Sequence, residues 1–252
     1  MVRSHLGARF TLMQQRIRQL IEVADQRMRQ SGDAYHDECH ARRVSVNAAH
    51  ISYSLPLTPE QRQAVILASW WHDTGRTIIK KPSVIWMRFV DDMFSAFLLW
   101  KESLKVKTFS KIVSLAIRII LCSNIGTGKL FTHILLRKKD RILLNILRDA
   151  DTLDTLDINR LNQLYAFAHQ SKTNQFKYKL AVWWFLHSKE LHFRTEKAKQ
   201  YFETSMEEFL VWVREINIFQ WHKETFGLKW IEESIAQGEK ILKKIQQRIK
   251  YS

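Results

Sequence analysis

Three short stretches hold the side chains that could do chemistry: His36-Asp37-Glu38-Cys39-His40, Trp71-His72-Asp73-Thr74-Gly75 and Asp149-Ala150-Asp151. A histidine, an adjacent His-Asp doublet and a distal aspartate can close around one divalent cation. Such an ion makes its bound water nucleophilic near neutral pH, which hydrolysis of a stable phosphate ester requires. His36 and His40 are four apart, so on a helix they share a face with Cβ atoms roughly 5–6 Å apart. One can ligate an ion while the other points at a substrate. His72 and Asp73 diverge by about 100° on a helix, so both reach one ion only where the helix ends. Gly75 supplies such an end.

The elements that must carry these residues read as helices. The run Ala64-Val65-Ile66-Leu67-Ala68-Ser69-Trp70-Trp71 before the doublet is almost wholly apolar, and Ile142 to Leu147 precede Asp151 in the same way. Charged residues ending a buried helix need compensation, and a cation provides it. Helical spacing predicts elements at about 8–30, 36–54 and 59–71, the last opened by Thr58 as N-cap, Pro59 and Gln61. Further helices are predicted near 84–104, 109–124, 131–148, 176–191, 194–225 and 228–250, with loops around Pro82 and over Asn124 to Gly128. Only 7 glycines and 3 prolines in 252 residues leave too few turns for a sheet-rich fold. The expected fold class is all-α.

The net charge is +15, and residues 76–148 alone carry 15 lysines and arginines against 4 acidic groups. That excess beside the candidate site would draw in anions. On charge alone, nucleic acid or an anionic membrane are also candidate partners. Lys80-Lys81 and Arg137-Lys138-Lys139 read as solvated runs, and Gly126-Thr127-Gly128-Lys129 lacks the spacing and the strand of a phosphate loop. Cys39 and Cys122 give no disulfide framework and suit a reducing compartment. Met1 to Phe10 has no apolar run long enough for a signal peptide, and Ile112 to Cys122, carrying Arg118, reads as a buried helix. The expectation is a soluble cytoplasmic protein.

The motifs His36-Asp37-x-x-His40-x-x-Arg43-Val44, then His72-Asp73-x-Gly75-Arg76, then Asp149-Ala150-Asp151-x-Leu153-Asp154 together resemble the HD superfamily of metal-dependent phosphohydrolases, over about residues 36–160. The small bacterial-type branch is the nearest pattern. The resemblance implies an HD-type helical core over 1–170 with a helical extension over 171–252 packed on it. It implies metal ligands His40, His72, Asp73 and Asp151. His36 would be a substrate-facing acid or phosphate contact, and Asp73 or Asp154 a proton acceptor. Arg43 and Arg76 would bind phosphate or hold the carboxylates. Alarmone-hydrolysing members carry Glu-Asp after the doublet, where this chain has Gly75-Arg76. Two-metal members need further histidines, and only His133 lies between the doublet and Asp151.

The expected activity is therefore hydrolysis of a small phosphorylated compound, such as a nucleotide, with one divalent ion. Mn, Fe, Co, Ni and Zn suit two imidazoles and two carboxylates, and Mg would want more oxygen donors. The alternative is a basic protein that binds nucleic acid or an anionic membrane, its metal site structural or vestigial. A two-iron oxygenase would need ligands that the sequence lacks.

Overall fold

The structure is a computed structural model that describes residues 2–31, 36–79, 90–124, 128–187 and 193–250, with side chains described from residue 12 to residue 247. The described residues form helices and no strand, so the protein is all-α. No described helix is long and apolar enough to cross a membrane. The chain divides into two compact units, residues 1–151 and 152–252.

The first unit begins with α1 (Val2–Arg29), which buries Ile17, Leu20, Ala24 and Met28 at helical spacing. In α2 (Glu38–Tyr53), the Asp37 side chain caps the start by accepting from the His40 backbone N–H at 2.8 Å. The same cap fixes the first turn that carries His40. α3 (Pro59–Trp71) starts with a reciprocal capping box between Thr58 and Gln61, with Pro59 in its first turn. It is the central helix, packing against α1, α2 and α5 (Lys111–Ser123). Ala64, Val65, Leu67, Ala68 and Trp71 are fully buried, and each large apolar side chain sealed this way contributes roughly 1.5–3 kcal/mol. The Trp71 indole N–H donates to the Leu20 carbonyl at 3.1 Å, fastening the end of α3 to α1.

A short 3₁₀ turn, Thr74–Ile78, follows and packs on α4 (Asp91–Lys105). Of the helix predicted at 84–104, residues 84–89 lie outside the described residues, and α4 covers the part from Asp91. Lys80, Lys81 and the loop around Pro82 lie outside the described residues, as do Gly126 and Thr127. The apolar run at 112–122 is the buried helix α5. The single helix expected at 131–148 is instead α6 (Gly128–Leu135), a 3₁₀ turn at Lys138–Asp140 and α7 (Arg141–Asp154). Among the bonds that hold α7, Asn47 Nδ2 donates to the Ala150 carbonyl at 3.3 Å, and Arg148 to the Cys122 carbonyl at 2.8 Å.

The second unit contains α8 (Ile158–His169), α9 (Lys172–His187), α10 (Glu196–Arg214), α11 (Ile216–Phe226) and α12 (Leu228–Lys250). Asp157 caps α8 by accepting from the Asn159 and Arg160 N–H groups. The expected helix at 194–225 breaks at Glu215, whose ψ of 134° is extended. α11 stops at Gly227, whose φ of 94° favours glycine. The core buries Phe202, Met206, Phe209, Trp212 and Ile231, and it also holds a buried polar pair. In that pair the Tyr178 hydroxyl meets His222 Nε2 at 2.8 Å, while His222 Nδ1 donates to the Ile218 carbonyl at 2.7 Å.

Candidate metal centre

Three elements of the first unit bring their side chains to one point: the start of α2, the end of α3 and the last part of α7. His72 is the residue at which α3 ends, and Asp73 leaves the helix with φ −105° and ψ 1°. That change of direction lets two adjacent residues face the same place. Gly75 has a different role from a left-handed helix stop. A Cβ there would lie 2.3 Å from the Asp91 carbonyl oxygen, so glycine allows the turn to sit against α4.

His40 Nε2 lies 3.1 Å from Asp73 Oδ2 and 3.6 Å from Asp151 Oδ1. His72 Nε2 lies 3.4 Å from the same Asp73 oxygen and 3.8 Å from the same Asp151 oxygen. The donor atoms of His40, His72 and Asp151 all lie within 4.8 Å of one another. Donors about 2.0–2.2 Å from a shared ion stand roughly 3.0–3.5 Å apart, so the observed spacings suit such an ion after small adjustments.

The orientation of His72 supports this chemistry. Its Nδ1 is 2.8 Å from the Ser69 carbonyl, to which it donates, so in the neutral ring Nε2 holds the lone pair. That Nε2 atom is buried and makes no hydrogen bond. Burial works against charge on His72, but Asp73 and Asp151 outweigh it and push the imidazole up to about 10. Burial would raise Asp73, yet His72, His36 and Arg76 hold it well below the usual carboxylate range. Asp151 is likewise lowered: His72 and His40 overcome its burial. The cluster is a pool of mutually compensating charge that a cation could replace.

The other expected site residues lie as follows. His36 sits beside the cluster, its Nε2 3.9 Å from Asp73 and its ring centroid 5.3 Å from that of His40. Arg43 lies one turn further along α2 and is half-buried. Arg76 is buried, with Nε 3.3 Å from Asp73 Oδ1 and a terminal nitrogen 2.7 Å from Asp91 Oδ2. Of the two roles considered for it, this geometry fits the carboxylate clamp and leaves phosphate binding without support. Asp154 is fully buried and bonded to Arg160, a structural pair that occupies the carboxylate.

Two acidic residues were missed. Asp91 and Asp92 open α4, and Asp91 grips the Arg76 that grips Asp73. Burial, reinforced by the charge on Asp73, raises Asp91 to about 6. Burial and then Asp91 raise Asp92 well above its ordinary value, and Asp92 accepts a hydrogen bond from the Ser123 hydroxyl at 2.8 Å. An acidic doublet at the head of an apolar helix was the available signal.

No family model, curated protein or solved structure matches this chain. The geometry is what argues for function. The cluster is sealed on one side and open on the other: the side chains of His40, His72 and Asp73 are at most 10% exposed, and that of Asp151 is 50% exposed.

Proposed function

We propose that the protein is a metal-dependent phosphohydrolase of the HD type, acting on a small phosphorylated compound such as a nucleotide. The observation that carries the proposal is the meeting of His40, His72, Asp73 and Asp151, with a buried His72 Nε2 that lacks a hydrogen-bond partner. Two imidazoles and two carboxylates suit one Mn, Fe, Co, Ni or Zn ion, and Mg less well. A bound ion supplies Lewis acidity toward a phosphoryl oxygen and an acidified water.

The chain's own residues divide the remaining work. Ser69 fixes the His72 ring so that Nε2 faces the cluster. Arg76, steadied by Asp91, orients Asp73, and His72, His36 and Arg76 together keep it ionised; held so low, Asp73 is a ligand and a poor base. Asp154, bonded to Arg160, is no better placed to take a proton. His36 stands at the side of the cluster, where its nitrogen can exchange a proton with a substrate oxygen or steady a phosphate. The basic excess over residues 76–148 favours anionic substrates.

The test is a phosphatase screen of purified protein supplemented with each divalent metal, beside a His72→Ala/Asp73→Ala control. Metal-dependent turnover that the control lacks is the expected result. Turnover that survives in the control, or none with any phosphate compound and metal, rejects the proposal.

A further inference from the structure

In the second unit, α9 is apolar on both of its faces. Tyr178 and Leu186 point inward and are buried, with Val182 and Phe185 half-buried beside them. On the opposite side Phe176, Leu180, Trp183 and Trp184 are 68%, 50%, 51% and 50% exposed. At 100° per residue these four fall within one arc of about 100°, a continuous apolar strip along the helix. From typical whole-residue areas it presents on the order of 400 Å² to water, as much as functional patches usually do. Elsewhere in this unit the exposed large apolar residues Val211, Ile216 and Leu228 are far apart along the chain, among charged water-facing positions such as Glu207, Glu208, Glu232 and Glu239.

The margins of the strip are basic. Lys172 and Lys179 flank it on one side and Lys177 on the other, all exposed. The chain has no aspartate or glutamate from residue 158 to residue 189. An acidic group approaches from a neighbouring element: Glu233 lines, together with Lys240 and Trp230, the groove beside Trp183. Its charge is matched there by that of Lys240.

The geometry points to α9 as a docking helix for an anionic lipid surface. A helix lying in the plane of the interface puts its apolar side roughly 5–10 Å into the headgroup and acyl boundary. Tryptophan prefers that depth. Lysines at the margins keep their stems on the apolar surface and reach the headgroups with their ammonium groups. Nucleic acid fits less well, because Phe176 and Leu180 extend the strip well past any stacking platform and Leu180 offers no ring.

Sedimentation of the full chain with phosphatidylcholine vesicles, with and without phosphatidylserine, tests the assignment. Binding should depend on phosphatidylserine and weaken with salt. Trp183→Ala/Trp184→Ala and Lys177→Gln/Lys179→Gln should each lower the partition coefficient by about tenfold or more. All four positions are exposed, so circular dichroism should show both variants folded, and the metal-dependent reaction should be unchanged. No binding, equal binding to neutral vesicles, or tighter binding to an oligonucleotide would each overturn the assignment. So would light scattering showing a dimer that the tryptophan variant splits, since a second copy would then cover the strip.

Discussion

Replacing Gly75 with alanine probes how closely the site depends on the contact between the 3₁₀ turn and α4. The new Cβ would stand 2.3 Å from the Asp91 carbonyl oxygen, 2.9 Å from Phe94 Cβ and 3.0 Å from the Ser95 nitrogen. Ordinary contacts are about 3.5–4.0 Å, and two of the three obstacles are backbone atoms that cannot rotate away. The turn must therefore retreat from α4 by about 1 Å. That movement stretches the bond from the Gly75 N–H to the Ser95 hydroxyl, now 2.7 Å, and the Arg76–Asp91 pair. Gly75 has no positive φ, so conformational strain adds nothing to the steric effect. Overpacking of this kind costs about 1–3 kcal/mol, which for a chain of this size lowers the melting temperature by roughly 2–12 °C. Since Asp73 and His72 ride on the same turn, a displacement of about 1 Å should reduce turnover about a hundredfold. Calorimetric metal titration, thermal melts and the phosphatase assay read these effects. A Gly75→Ala protein with unchanged melting temperature and unchanged metal affinity would refute the reasoning.

Two further changes separate structure from chemistry. Burial pushes His222 down to about 4, below the roughly 6.5 of an unfolded histidine. The unfolded chain thus binds the extra proton first as pH falls. The resulting stability, on the order of 3 kcal/mol, is present above about pH 6.5 and lost on the way down to pH 4. Denaturant unfolding between these pH values, followed by tryptophan emission, should show that loss, and His222→Gln should lack it. Equal pH dependence in both proteins would contradict the buried neutral imidazole. For Asp154→Asn, weakening the buried pair with Arg160 should cost roughly 3 kcal/mol in unfolding measurements. The folded fraction should keep its metal-dependent turnover. Lost turnover with unchanged stability would return Asp154 to the chemistry.

The parts of the site that were legible in the sequence are those governed by local rules. Thr58, Pro59 and Gln61 announce the start of α3, and the observed helix begins at Pro59. The all-α fold followed from the scarcity of breakers and the helical spacing of apolar residues. Where the sequence failed, the cause was contact between distant segments. Nothing near Gly75 announces that Asp91 will press against it, and Arg76 finds its second carboxylate only after folding. The break at Glu215 has no glycine or proline to mark it.

The uneven sealing of the cluster has a kinetic consequence. With three donors enclosed and the Asp151 side chain half in solvent, an ion would arrive and depart past that carboxylate, which would be the last bond made and the first released. Residence time, and the rate at which a chelator strips the protein, would then be set by residue 151. The enclosed imidazoles would decide which element is retained.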